Sequence, residues 1–136
     1  MTEFENKRAH LQMIEDVISR MSSNSFLIKG WSFTVIGGLV TLYFTQQAKK
    51  WSYSILLLSL AFCVLFWLSD TYYLLQERRF RKLYEKVALK PEAAIDFSMK
   101  LPKNDEKFLC CMMRPVFLIS YGIIGAIQLV LIYVMR

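Results

Sequence analysis

Three long apolar runs, at residues 25–45, 52–75 and 116–134, are set in a chain that is otherwise polar and strongly charged. Each is close to the ~20 residues that cross ~30 Å of hydrocarbon as a helix, so each predicts a membrane span. Upstream of the first run, Phe4, Leu11, Ile14, Ile18 and Met21 recur at helical spacing on an otherwise charged segment. That stripe is too narrow and too polar to span. It predicts an amphipathic helix that lies on a membrane surface or packs on another helix. Thr2 followed by Glu5 fits a capping box at its start. The run Ser22-Ser23-Asn24-Ser25 supplies a cap or bend where the chain turns into the first span.

The second run meets no Gly or Pro at its end, so its helix is expected to continue through Phe80, Leu83, Tyr84 and Val87. Lys90-Pro91 ends it, because the residue before proline is pushed out of the helical region. Pro91 suits the first turn of a short helix over residues 92–99. Pro102, with Asn104 and Asp105 as caps, marks a turn before an amphipathic stretch that leads to the third span. Pro115 stands at the start of that span, at its first turn or as a kink. The division is therefore 1–24 amphipathic helix, 25–76 transmembrane hairpin, 77–114 basic helical segment and 115–136 third span. The fold class is all-α: an integral membrane protein with three transmembrane helices, an N-terminal amphipathic helix and a small cytoplasmic helical layer.

Composition sharpens this. The chain has 136 residues, 55% hydrophobic and 21% charged. The spans consume nearly half of it, which leaves too little for a separate catalytic domain and excludes a soluble enzyme, a disordered chain and a disulfide-stapled module. The first apolar run follows some two dozen polar residues, so it is expected to stay as an anchor rather than be cleaved as a secretory signal. Three cysteines, two of them the adjacent Cys110 and Cys111, and the lone His10 give neither a disulfide framework nor a zinc spacing. No metal and no cofactor are expected.

Of the 17 lysines and arginines, four precede or enter the first span, two lie in the 46–51 loop, ten lie between the second and third spans, and Arg136 closes the chain. An arrangement with the N-terminus inside and the C-terminus outside puts fourteen on the cytoplasmic side, as the positive-inside rule prefers. The net charge of +6 is thus a topology signal and not a nucleic-acid footprint. Trp31, Trp67, Tyr72 and Tyr73 fall toward the cytoplasmic interface, and Tyr43, Trp51, Tyr53 and Tyr133 toward the outer one.

Candidate chemistry is sparse. Asp70 is the one acidic residue inside an apolar run, and a carboxylate at membrane depth costs a few kcal/mol. Lys29 lies one to two turns in from the same face. The two residues pair across neighbouring helices, snorkel separately to the interface, or serve a gate. Thr34, Gly38 and Thr41 line one face of the first span, with Gly37 beside them, and Ser59 and Cys63 share a face of the second with Asp70. In the third, Gly122 and Ala126 are spaced as small-xxx-small, followed by Gln128. Such residues pack helices closely inside a protomer or line a pore between protomers. The cluster Arg78, Arg79, Arg81 and Lys82 contacts anionic lipid or a phosphorylated ligand, or holds topology. No nucleophile–base arrangement and no glycine-rich phosphate loop is present, so no enzyme is expected.

The runs Asn24-Ser25-Phe26-Leu27-Ile28-Lys29-Gly30-Trp31, Trp67-Leu68-Ser69-Asp70-Thr71-Tyr72-Tyr73-Leu74-Leu75-Gln76-Glu77-Arg78 and Asp96-Phe97-Ser98-Met99, with the leading Val17-Ile18-Ser19-Arg20-Met21, resemble a family of small bacterial membrane proteins of unassigned function. That resemblance brings no catalytic residues. The layout is also similar, on size and architecture alone, to membrane effectors of anti-phage systems, which permeabilise the inner membrane when a nucleotide signal or a soluble partner triggers them. The expectation is a homo-oligomeric, pore-forming effector of the bacterial inner membrane in contact with the lipid bilayer. The alternative is a non-conducting anchor or regulatory subunit for a soluble partner.

The basic asymmetry makes a direct prediction. A reporter fused after Arg136 is expected to read as periplasmic and one inserted near Lys100 as cytoplasmic; the opposite pattern reverses the orientation.

Overall fold

The computed structural model describes residues 3–103 and 106–135. Two helices dominate it. Helix α1 (Glu3–Thr45) has 43 residues and α2 (Ser52–Ala88) has 37. At 1.5 Å per residue they are about 64 and 55 Å long, roughly twice the thickness of a hydrocarbon core. The 46–51 loop folds them into an antiparallel hairpin. Their partners run in opposite directions along the chain: Ile14 packs with Leu83 and Val87, Lys29 meets Asp70, and Tyr43 packs with Ile55 and Leu56.

The expected cap or bend at 22–25 does not exist. Ser22, Ser23, Asn24 and Ser25 lie inside an unbroken α1, so the boundary at residue 24 falls within one rod. Polar residues of this kind favour caps when the chain is isolated. Here packing against α2 on both sides of the run outweighs that preference. The N-terminal stripe likewise has its answer: Leu11, Ile14 and Ile18 pack on Phe80, Leu83, Tyr84 and Val87 of α2. The polar halves of α1 and α2 thus form a two-helix stalk. Thr2, and with it the capping box, lies outside the described residues.

Beyond α2 the chain doubles back as a strap. The helix expected over 92–99 is a single 3₁₀ turn, Glu92–Ala94, followed by extended chain. The chain leaves the helical region at Ile95, with ψ of 119°, and Phe97 follows with a left-handed φ of 51°, unfavourable for a bulky residue. Side-chain bonds hold the strap down instead. The Glu92 carboxylate accepts from the Lys7 backbone N–H at 2.9 Å, and the Lys7 ammonium donates to the Lys90 carbonyl at 3.0 Å. His10, fully buried, lies 3.2 Å from the Ser98 carbonyl through Nε2 and packs against the Phe97 ring. Asn104 and Asp105, expected as caps, lie outside the described residues.

Helix α3 (Phe108–Met112) and helix α4 (Pro115–Val134) complete the chain. Pro115 occupies the first turn of α4, where its missing N–H costs nothing. The second turn, Leu118–Gly122, is π-wound. Three helices are thus long and apolar enough to cross a membrane, in α1, α2 and α4, and no strand occurs among the described residues. The apolar core runs through Ile36, Cys63, Phe117 and Tyr121, with Val40, Phe66 and Trp67 packed against it.

Burial along the stalk generates a mutational contrast. Ile14 is fully buried whereas its neighbour Met13 is 46% exposed. Ile14→Ala is expected to lower stalk stability by about 2–5 kcal/mol and Met13→Ala by less than about 0.5 kcal/mol. Hydrogen exchange of the amides over residues 7–20 measures both, and equal effects would mean that the stalk helices are not packed on each other.

Candidate functional site

The site assembles where the stalk gives way to the apolar half of the hairpin. On α1, Ser25 and Lys29 are one turn apart and therefore share a face. On α2, Asp70 sits opposite them, with a side chain wholly removed from solvent. On α4, Phe117 and Tyr121 are again one turn apart and close the third side. The Lys29 ammonium is 2.6 Å from Asp70 Oδ2, and its own side chain keeps 28% exposure. Tyr121 donates its hydroxyl proton to the same oxygen at 3.1 Å. Ser25 donates to Asp70 Oδ1 and accepts from Lys29 Nζ at 3.0 Å. The ammonium also stands 5.3 Å from the Phe117 ring centroid, within cation–π range.

The physical logic is compensation. A carboxylate in an apolar interior is tolerable only if paired and fully hydrogen-bonded. Asp70 receives three donors from two other helices, so neither of its oxygens is left bare. Sequence reasoning found Lys29 and Asp70 but missed Ser25 as a ligand of the carboxylate, and missed Tyr121 altogether. The signal was present: Phe117, Tyr121 and Gln128 are spaced by four and seven residues, which puts Tyr121 and Gln128 on one face of α4 with Phe117.

Two smaller polar contacts follow along the inner face of α2. The Cys63 thiol donates to the Tyr121 carbonyl at 3.7 Å, inside the π-wound turn whose backbone bonding departs from the α pattern. Gln128 donates to Ser59 at 2.7 Å, both fully buried. Ile36, Phe117 and Phe66 pack around Cys63 and Tyr121. The Cys63 contact thus shares Tyr121 with the Asp70 site, and both are embedded in apolar side chains. Gln128 Oε1 and the Tyr43 hydroxyl are buried without a hydrogen-bond partner.

The small and polar candidates divide into two sets. Ser59, Cys63 and Gln128 point into the protomer. Thr34, Gly38, Thr41 and Ala126 are exposed, with Gly37 beside them, and Gly122 is half-buried. A Cβ added at Gly30, Gly37, Gly38 or Gly122 would meet nothing within 4 Å. Thr34 and Thr41 return their hydroxyl protons to the carbonyls of Gly30 and Gly37. This face of α1 is thus small and smooth, and it is turned away from the other helices. Of the expected interfacial aromatics, Tyr43 is instead in the core and Trp67 donates its indole N–H to the Met112 carbonyl at 3.1 Å.

The basic cluster is largely occupied. Arg78 donates to both oxygens of Glu106, at 3.0 and 3.1 Å, and thereby holds that carboxyl below the ordinary glutamate range. Arg114 approaches the same carboxylate at 3.9 Å. Arg81 pairs with Glu77 one turn away at 2.8 Å. Arg79 reaches Gln76 at 3.5 Å, and Lys82 is exposed. These arginines clasp the start of α3 and the flank of α2 more than they present an open anion site.

The buried pair predicts an asymmetric double-mutant cycle. Lys29→Met leaves the Asp70 charge buried and is expected to cost about 3 kcal/mol or more. Asp70→Asn leaves a lysine that can still reach solvent, at about 1 kcal/mol. The double replacement is expected to recover part of the larger loss, measured by thermal or denaturant unfolding in detergent. Strict additivity would show that the two residues do not interact.

Comparison with known protein families, with curated proteins and with solved structures finds no match for the chain, so its function is read from these residues and their geometry.

Proposed function

We propose that the protein is an integral protein of the bacterial inner membrane, with its stalk and N-terminus cytoplasmic and its C-terminus periplasmic. In this reading it assembles with copies of itself and acts as an effector that perturbs the membrane when the stalk receives a signal, as in anti-phage defence. The observation that carries it is the outward face Gly30, Thr34, Gly37, Gly38 and Thr41, set on the same unbroken helix that forms the stalk. Small residues at a lipid-facing surface let two backbones approach closely, and in a bilayer that packing drives helix association. A rod without a hinge carries any rotation or separation of the stalk into the spans.

The polar contacts inside the protomer are packed among apolar side chains, so a conducting path belongs between protomers. Thr34, Gly38, Thr41 and Ala126 are then interface or pore-lining residues. Ser59, Cys63 and Gln128 hold the protomer together. Lys29 and Asp70 set the rotational position of α1 against α2, which decides where the outward face points. The same filled interior also favours a second reading, a non-conducting anchor or regulatory subunit that delivers a soluble partner to the membrane.

Mass measurement in mild detergent and a membrane-potential dye in expressing bacteria test both. The unmodified chain is expected to be a homo-oligomer and to depolarise cells. Gly38→Leu and Ala126→Leu are each expected to weaken association about tenfold, roughly 1.4 kcal/mol, and to reduce depolarisation in parallel. A monodisperse monomer at several detergent ratios overturns the assembly. An oligomer that leaves the potential intact and co-purifies with a soluble protein selects the second reading.

A further inference from the structure

The charge that Arg78, Arg81 and Arg114 carry is met by Glu106 and Glu77. A second group of four cations is met, among the described residues, by one exposed carboxylate, that of Asp96, which lines the same hollow. Lys86 projects from the last turn of α2, Lys90 from the chain just past its end, and Lys100 and Lys103 from the strap that folds back beside it. Together they border one concavity of about 390 Å³, floored by Leu83, Val87 and Leu101. Lys86, Lys100 and Lys103 have no ion-pair partner among the described residues, while Lys90 reaches the exposed Asp96 at 3.4 Å. Asp96 is itself engaged by the Ser98 backbone N–H, which holds its carboxyl below the ordinary range.

We propose that this concavity binds a soluble anion bearing two or more phosphate groups, held by Lys86 and Lys90 from one side and by Lys100 and Lys103 from the other. The proposal deepens the reading above, since it names the class of signal that the stalk receives.

Three observations converge on it. Lys86, on the last turn of α2, and Lys90, just past its end, bring two like charges to one edge of the hollow, and these repel unless something neutralises them. Two chain segments far apart in sequence bring four ammonium groups to one hollow, which topology retention alone does not require. The hollow is of the size that holds small ligands, and lysine ammoniums are point-charge binders of phosphate.

Its position selects the source of the phosphate. Lys86 lies thirteen residues past Tyr73 on a continuous helix, about 20 Å beyond the aromatic belt. That is more than twice the ~8 Å Debye length at physiological salt, so the surface potential of a bilayer has largely decayed there. A soluble anion can reach the hollow, whereas a lipid headgroup in its own leaflet cannot. The site is also coupled to α1. Ser98 lines it and offers its carbonyl to His10, and the Lys90 carbonyl is held by Lys7. An anion that bridges α2 and the strap thereby tightens the strap on the other stalk helix.

The test uses the full chain in nanodiscs of phosphatidylcholine, titrated with sodium triphosphate by calorimetry. One saturable site per protomer is expected. Lys86→Gln with Lys100→Gln should weaken it at least tenfold, and Lys49→Gln with Lys50→Gln, the same charge change at the far end of the hairpin, should not. All four side chains are exposed, and retained helicity with unchanged mass shows that the variants fold. Absence of saturation, or equal weakening by both double variants, overturns the site. If discs containing phosphatidylglycerol suppress triphosphate binding more than tenfold, the hollow belongs to a lipid headgroup and the soluble source is wrong. Because heat is the readout and not depolarisation, a chain that disrupts membranes yet binds no triphosphate sinks this site alone.

Discussion

Everything in the apolar half of this protein is arranged around the cost of keeping one carboxylate away from water. Asp70 stands among apolar side chains on α2, and its charge is held by Lys29 and Ser25 from α1 and by Tyr121 from α4. Apolar contacts alone are permissive, because leucine, valine and isoleucine pack acceptably in several registers. The carboxylate is not permissive. A one-residue slip of α1 rotates its side chains by about 100° and takes Lys29 and Ser25 off the inner face together. Whatever the pair contributes to net stability, it penalises every arrangement but one, which is how a buried polar group confers specificity. Of the helices that meet at Asp70, α4 contributes only a hydroxyl and a ring.

The π-wound turn of α4 belongs to the same constraint. One extra residue in the turn changes the direction of the side chains that follow it relative to those before. With Pro115 fixed at the first turn, the winding over Leu118–Gly122 brings Tyr121 to Asp70 while Gln128 faces Ser59 two turns further on. The backbone irregularity stays inside protein, where Cys63 donates to the Tyr121 carbonyl. In hydrocarbon, departures from α-winding are tolerated only where the affected polar groups find partners.

Much of this was legible in the sequence, and the parts that were not share a cause. The three apolar runs announced the long helices, the absence of Gly and Pro after Leu75 announced that α2 runs on, and the two lone charges at matching depth announced each other. Ser22–Asn24 misled because serine and asparagine favour caps in isolation, and only packing on α2 keeps them helical. The strap misled because residues 92–99 read as one helix, of which only the turn Glu92–Ala94 forms, whereas the bonds from Lys7 and His10 that hold the strap down come from more than eighty residues away. Tyr121 shared a spacing with Phe117 and Gln128, but the π-wound turn that surrounds it in α4 is not contained in that spacing. Local pattern found the elements; long-range bonds decided the irregular places.

The division between inside and outside then constrains function. On the apolar halves of the helices Ser25, Ser59, Cys63, Asp70, Tyr121 and Gln128 are drawn inward, where they fix the protomer. What α1 presents outward over the same length is a strip of glycine and back-bonded threonine among exposed apolar side chains such as Trp31, Phe33 and Phe44, a surface with little polar chemistry. Such a surface is poorly suited to recognising a small solute and well suited to lying against another helix. The unmet charge sits at the opposite extreme of the molecule, where the end of α2 faces the strap. Between these two regions run two helices with no break along their length. A change in how the strap and stalk helices sit together cannot be absorbed by a hinge, so it must appear as a change in how the apolar halves are presented to their neighbours.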